Sequence, residues 1–294
     1  MSAAAPPASI VVPTRNRAGY LDVALRSLAP QAADAGAELI VVVDGHDPES
    51  VLVAQRRGAH VIAHPQPRGP NAARNAGWEA ASGELVIFVD DDVEAPRTWL
   101  PSMLAAAAAT PERDVFAGPI RAAIEGGGPR SCGRDTPPIT TLDHGAADVD
   151  VPVGWSANLA IRRAALETVG GFDASIPVGA GDEEEWQERY RSTGGRIRYV
   201  AAAGLDHRRA GADATLRALA RAQYRRGRAA RMQDVRKGVA PSAAGELRLA
   251  AACAAHTLVR ACPNGVTLAA HALGRAREAL SRAAAPASPK GAAR

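Results

Sequence analysis

The run Glu84-Leu85-Val86-Ile87-Phe88-Val89 passes without a turn into Asp90-Asp91-Asp92. It is the last of four short apolar runs, the others being Ser9-Ile10-Val11-Val12-Pro13, Glu38-Leu39-Ile40-Val41-Val42-Val43 and His60-Val61-Ile62-Ala63. Unbroken runs of β-branched residues read as strands buried on both faces. Helical patterns at about 19–28, 51–57 and 70–81 separate them, so the expected fold is α/β, a Rossmann-like, mainly parallel sheet flanked by helices. In such sheets ligands gather beyond the carboxyl ends of the strands. The polar residues there are Thr14, Arg15 and Asn16 after the first run, Asp44 to Asp47 after the second, and Asp90 to Asp92 after the fourth.

A chain of 294 residues accommodates one large α/β domain with a decorated end, or two small domains, but no more. Its 47% hydrophobic and 22% charged residues exclude a disordered or collagen-like protein. Residues 1–8 and 284–294, rich in Ala and Pro, are expected to be flexible tails. Glycine and proline clusters make about 125–150 a long mobile loop. The α/β pattern resumes at Gly154 to Ile161, with a helix near 163–169, another opened by the acidic run Asp182 to Glu185, and a strand at 196–200. The last third is helical, at about 213–236, 243–261 and 266–284, with Pro263-Asn264-Gly265 as a break.

The net charge of +4, without aromatic stacking motifs, argues against a nucleic-acid binder. Its distribution is more informative: residues 207–237 carry nine arginines and one lysine against Asp213 and Asp234. Arg217, Arg221, Arg225 and Arg228 fall on one helix face, with Leu216, Leu219 and Tyr224 on the other side. That stripe is either a solvated face or a patch for diphosphate or anionic lipid heads. Cys132, Cys253 and Cys262 are too few and scattered for a disulfide framework. No secretory signal is expected, and no stretch reaches the roughly 18 to 20 apolar residues of a membrane span. The expectation is a cytoplasmic protein with peripheral membrane contact through its C-terminal helices. All but two of the 35 basic residues are arginine, and that Arg- and Ala-heavy usage points to a bacterial source.

Adjacent carboxylates repel unless a cation lies between them, so three aspartates at a strand end are costly without a function. A hard divalent ion, Mg2+ or Mn2+, takes carboxylate and phosphate oxygens together, which makes this strand end a cradle for a metal-bound nucleotide diphosphate.

The surroundings of the aspartates resemble the family-2 glycosyltransferases, inverting enzymes of GT-A fold. The resemblance is carried by Ile10-Val11-Val12-Pro13-Thr14-Arg15-Asn16-Arg17, Val41-Val42-Val43-Asp44-Gly45, Gly69-Pro70-Asn71-Ala72-Ala73-Arg74-Asn75-Ala76-Gly77 and Phe88-Val89-Asp90-Asp91-Asp92. It continues through Gly154-Trp155-Ser156-Ala157-Asn158 and Gly170-Gly171-Phe172-Asp173 to the acidic run at 182–185. It spans residues 9–209, with a nucleotide-binding half at about 9–95 and an acceptor half at about 96–209; residues 210–283 form a helical extension.

The resemblance implies a metal-dependent glycosyltransferase moving a sugar from a nucleotide-diphosphate donor, UDP-linked as a first guess, to an acceptor hydroxyl. Pro13, Thr14, Arg15, Asp44, Arg74, Asp90 and Asp91 would line the donor site. Asp92, with Asp90 and His207, would hold the metal. Trp155, Asn158 and Trp186 would face the acceptor, although large side chains are also needed in so Ala-rich a core. A carboxylate must take the proton of the attacking hydroxyl. Aligning Gly181 and Arg189 with the family pattern puts Glu183 at the base position; Asp182 is the alternative, because the acidic order is inverted here. Favouring a helix N-terminus is the simpler role of that run. The family usually has Gly-Ser two residues after the aspartate of the second strand, where this chain has Gly45-His46-Asp47, so the base of the nucleotide stays open.

Competing readings are a nucleotidyltransferase and a non-catalytic sugar-nucleotide-binding protein. The former would need a glycine-rich phosphate loop after the first strand, and no glycine precedes Gly19 there. A dehydrogenase is disfavoured because no Gly-x-Gly-x-x-Gly follows that strand.

Overall fold

The computed structural model describes residues 5–130 and 137–283. Cys132, the 284–294 tail and the first four residues of the 1–8 tail lie outside the described residues. In chain order the strands and helices are β1 (Ala8–Thr14), α1 (Ala18–Ala35), β2 (Glu38–Asp44), α2 (Pro48–Arg56), β3 (His60–His64), α3 (Pro70–Ala80), β4 (Leu85–Phe88), β5 (Val93–Glu94), α4 (Trp99–Ala109), β6 (Val115–Ala117) and β7 (Ile120–Ile124). After these come β8 (Val149–Val151), β9 (Leu159–Arg162), α5 (Arg163–Val169), α6 (Asp182–Ser192), β10 (Ile197–Tyr199), β11 (Leu205–Arg209), α7 (Leu216–Arg236), α8 (Ala243–Val259) and α9 (Pro263–Ala283).

The chain divides into two units. One holds Thr140–Arg209 and the described residues up to Ile124; the other holds Glu125–Ile139 and the described residues from Ala210 on. The described residues of 125–139 therefore group with the C-terminal helices, which the expected boundary at 209 did not anticipate.

In the first unit an eight-stranded sheet runs β3-β2-β1-β4-β9-β6-β10-β8. The segment β3-β2-β1-β4 is parallel throughout, as the four apolar runs require. Antiparallel β9 fits between β4 and β6, and β8 is an antiparallel edge. A second sheet, β5-β11-β7, matters most for function. Pairing of His207 with Val93 and of Asp206 with Glu94 sets β11 beside the residues that follow the aspartates, and Arg208 N donates to the Asp92 carbonyl at 2.7 Å.

The core is built from strand Val, Ile and Leu with Phe88, Phe116, Trp99, Trp186 and Tyr199, all fully buried. Helix α3 lies close on the sheet because Gly77 lacks a side chain: a Cβ there would come 2.2 Å from Val11 Cγ1.

Several expectations are corrected. Pro6 and Pro7 are not loose, since their carbonyls accept from Glu84 N and Leu85 N, and Ala8 opens β1. Helix α1 continues past Leu28 through Pro30 and stops at Gly36, whose left-handed φ of 64° closes the helix end. Within 125–150, Glu125–Gly127 forms a 3-10 turn, Leu142 bridges Ile120 and β8 joins the sheet. Pro263 opens α9 rather than breaking the chain, its missing N–H being unneeded in a first turn.

In the second unit α7 and α9 approach backbone to backbone. A Cβ on Gly227 would lie 1.9 Å from the His271 carbonyl oxygen, and one on Gly274 would lie 2.0 Å from that of Tyr224. The apolar cluster beside this contact is Ala250, Ala272 and Ala276 with Cys253 against them. Buried Glu246 accepts from Arg275 at 2.6 and 2.9 Å and faces Arg231 at 3.4 Å, while Arg275 also reaches Asp234 at 2.7 Å. Arg217, Arg221, Arg225 and Arg228 are exposed, with Arg228 paired to Glu278 on α9 at 2.9 Å; Leu219 is buried.

Candidate active site

Strand β4 delivers the three aspartates to the carboxyl edge of the sheet, and each meets a different environment. Asp91 is buried, accepting from Thr14 Oγ1 at 2.7 Å and Arg17 Nη1 at 2.7 Å. Asp92 is buried too, with Arg17 Nη2 at 2.7 Å and Arg209 Nη1 on Oδ2 and His207 Nε2 3.1 Å from Oδ1. Burial alone would raise the Asp92 carboxyl, but His207, Arg17 and Arg209 hold it well below the usual carboxylate range. Asp90 has the opposite balance: burial, then the Asp92 charge, push it up to about 6, against the pull of Arg74.

His207 is oriented from behind. Its Nδ1 lies 3.0 Å from the Thr140 carbonyl, which only accepts, so Nδ1 carries a hydrogen and Nε2 faces Asp92. Burial would lower this imidazole, yet the adjoining Asp92 carboxylate holds it above its ordinary value.

Ligand atoms of Asp90, Asp92 and His207 lie within 4.8 Å of one another. Asp92 Oδ1 is buried and, among the described residues, receives no well-directed hydrogen bond. Two carboxylates and an imidazole nitrogen fixed from behind by a carbonyl, with one buried carboxylate oxygen met by that nitrogen at 3.1 Å without a well-directed hydrogen bond, fit a divalent ion such as Mg2+ or Mn2+.

Among the residues expected to line a donor site, the Thr14 hydroxyl is engaged by Asp91, so its contribution is to hold that carboxylate. Asp44 accepts from Arg68 N at 2.8 Å and Gly69 N at 2.9 Å, with His64 Nδ1 at 3.0 Å. It thereby pins the loop entering α3, and those contacts keep its carboxyl below the usual range despite burial. Pro13 is half-buried and Arg15 exposed. Asn16 turns the chain with a left-handed φ of 54°, its N–H donating to Asp47 Oδ2 at 2.7 Å.

Arg74 of α3 joins the donor side to the acidic run. Its Nη2 reaches Glu183 Oε1 at 3.1 Å and its Nη1 lies 3.6 Å from Asp182 Oδ2. Glu183 also takes Ser156 N on Oε2 at 2.8 Å and Ser156 Oγ on Oε1 at 2.6 Å. Asp182 is more deeply buried and accepts from Gly179 N at 2.8 Å. Burial and then the Glu183 charge raise its carboxyl above the ordinary value.

Two of the three acceptor-side expectations are corrected. Trp186 is fully buried, stacked on Tyr190 at 5.6 Å, and its Nε1 donates to the Gly170 carbonyl at 2.6 Å. Asn158 is buried, donating to the Pro119 and Ala203 carbonyls and accepting from Trp99 Nε1. Both tie the fold together, which so Ala-rich a core demands. Trp155 is half-buried at the core edge. Arg17 and Arg209 were missed as site residues. Arg17 sits three residues past the Thr14 strand end and Arg209 two past His207, a separation that returns a side chain to the same strand face.

The fold is of GT-A architecture, with an acidic strand end at the carboxyl edge of its sheet. Glycosyl transferase family 2 matches residues 9–170, and the chain belongs to that family. It is 32% identical over 211 residues to a pre-mycofactocin glycosyltransferase of Mycobacterium tuberculosis, covering 68% of this chain and 43% of that protein. It is 35% identical over 95 residues to a GalNAc(5)-diNAcBac-PP-undecaprenol beta-1,3-glucosyltransferase of Campylobacter jejuni, 30% of each. The mannosyltransferase PcManGT from Pyrobaculum calidifontis, solved with GDP-Man and Mn2+, superposes with a TM-score of 0.58 at 17% identity, over 97% of this chain and 77% of that one. The chain thus spans less than half the length of its M. tuberculosis relative.

Proposed function

We propose that this protein transfers a sugar from a nucleotide-diphosphate donor to an acceptor hydroxyl by metal-assisted, inverting displacement. The observation carrying this reading is the convergence of ligand atoms of Asp90, Asp92 and His207 within 4.8 Å of one another beyond the end of β4. Arg74, the cation that opposes the raised Asp90 carboxyl, also holds Glu183, the candidate base.

Asp90, Asp92 and His207 would hold the divalent ion. Bound there, it would supply charge neutralisation for the departing diphosphate. Asp44 orders the loop that would receive the nucleotide base, with a UDP donor as first choice. Glu183 accepts the proton of the incoming hydroxyl; its side chain is 18% exposed, against 7% for Asp182, so substrate reaches it more readily. Arg74 and Ser156 fix its orientation. One carboxylate acting opposite the leaving group gives a single displacement, so the anomeric centre inverts and no covalent glycosyl-enzyme forms.

No described helix is long and apolar enough to cross a membrane. Membrane-surface contact is nonetheless part of this reading, since Leu258 and Val259 at the end of α8 are 81% and 82% exposed and α7 presents its arginines to solvent. The lipid-linked acceptor named for the C. jejuni relative supports an acceptor of that class.

The deciding experiment measures nucleoside diphosphate release from UDP- and GDP-sugars with Mn2+ and with chelator, and reads the product anomer by NMR. Metal-dependent release with an inverted product supports the reading. Binding without turnover points to a non-catalytic protein, and a retained configuration removes the mechanism.

A further inference from the structure

Arg209 lies on β11 two residues beyond His207, and its pairing with Ile124 on β7 fixes the backbone there. Its Nη1 rests on Asp92 Oδ2, lies 3.2 Å from His207 Nε2, and donates to the Arg208 carbonyl at 2.6 Å. One guanidinium nitrogen thus contacts two of the three residues that would hold the ion. An ion binding oxygen at roughly 2.0–2.2 Å would have that cationic nitrogen almost within its own coordination shell. Two positive charges at such separation repel strongly in a site shielded from water. The side chain of Arg209 is 21% exposed, so it has an exit toward solvent; Arg17, itself 32% exposed, is instead held by two carboxylates at once, bridging Asp91 and Asp92 in parallel.

We infer that Arg209 is a built-in competitor for the metal position, occupying it in the donor-free protein and leaving when the metal enters with the donor diphosphate. The inference rests on the proposed metal-assisted reading and deepens it. Once displaced, the guanidinium finds its next anion in the phosphate oxygens, for which its planar donors are suited. Metal and diphosphate then bind as a coupled pair: each raises the affinity for the other, because either one removes part of the cost of breaking the Arg209–Asp92 contact.

The test is direct Mn2+ binding to the whole chain, followed by the EPR signal of free Mn2+ and by calorimetry, first without nucleotide. Arg209→Gln removes the competing charge and should tighten Mn2+ by about tenfold, a coupling of ordinary size. With UDP or GDP added, whichever the protein binds, the wild type should gain Mn2+ affinity and Arg209→Gln should gain much less. Arg208→Gln, which removes a neighbouring guanidinium paired instead to Glu94 at 3.3 Å, should leave Mn2+ affinity unchanged. Circular dichroism checks that the variants are folded, and Arg209→Lys provides a second, less disruptive substitution with affinity between the two. Unchanged or weaker Mn2+ binding in Arg209→Gln overturns the inference, as does an equal gain in Arg208→Gln. If the wild type binds Mn2+ and His207→Ala abolishes binding, the metal site stands whichever way Arg209 behaves. If no form binds Mn2+ with or without nucleotide, the metal-assisted reading falls and this inference falls with it.

Discussion

Arg74 reaches across 109 residues of sequence to donate from Nη2 to Glu183 at 3.1 Å. Helix α3 and helix α6 are therefore joined at the candidate base.

Replacing Arg74 by Met should destabilise the protein by about 3 kcal/mol near pH 8, since a buried pair loses its cation. Asp182 already titrates above its ordinary value through burial and Glu183, and Arg74 is what opposes that rise. Without Arg74 the ionised form opposes folding above the raised pKa and ceases to oppose it below. The loss should therefore shrink as pH falls toward 5, which urea unfolding at several pH values would measure. A loss that grows on acidification would contradict this account.

Glu183→Gln keeps the shape and the contacts made to one oxygen, exchanges the other acceptor for an NH2 group and removes the basic carboxylate. It should lower kcat by roughly 10²- to 10⁴-fold with little change in donor affinity, while Asp182→Asn should do less. The reverse order in steady-state kinetics would make Asp182 the base.

Asp44→Ala strands the N–H groups of Arg68 and Gly69 and leaves His64 unpaired. Stability should fall by about 1 kcal/mol or more, and nucleotide affinity should drop further than kcat, because the pocket wall is held equally in ground and transition states. Calorimetric titration with UDP and GDP reads the effect; unchanged nucleotide binding would move the pocket elsewhere.

At the end of α8, Leu258→Ser with Val259→Ser should reduce co-sedimentation with phosphatidylglycerol vesicles by about tenfold or more, since burying one such side chain contributes about 1.5 kcal/mol. Arg221→Glu with Arg225→Glu should do the same in a salt-dependent way. Vesicle binding indifferent to both pairs would leave the helices as ordinary surface.

The strand pattern was readable because β1, β2 and β4 are buried on both faces, so their apolar runs stand out against any background. Helix α4 was not read. Trp99 to Ala109 contains no charged residue, and an all-apolar segment offers no periodic contrast. Strand β11, Leu-Asp-His-Arg-Arg, has the opposite problem: its polarity comes from residues that serve the site, and only its pairing with β5 and β7 makes it a strand. In the site, Arg74 and the aspartates were legible from local motifs. His207 was also read beside Asp92, but the arginine partners of Asp92 were not, because the second sheet brings Arg209 to it from 117 residues away. Trp186 and Asn158 were misread because large or polar side chains next to a motif resemble ligand contacts until their hydrogen bonds are seen.

The glycine contact between α7 and α9 has a thermodynamic consequence. The sheet unit shelters Val, Ile, Leu, Phe and Trp, whose exposure on unfolding raises heat capacity and denaturant sensitivity. The helical unit instead joins its helices through Gly227, Gly274, a few alanines and ion pairs around Glu246. Polar exposure works against the heat-capacity increment. Its melting should consequently be broad, shallow in urea and responsive to salt, while the sheet unit unfolds steeply and weakens in the cold. One polypeptide should thus carry two stability curves of different curvature, so that temperature or ionic strength loosens the helices while the aspartates at the sheet edge stay in register.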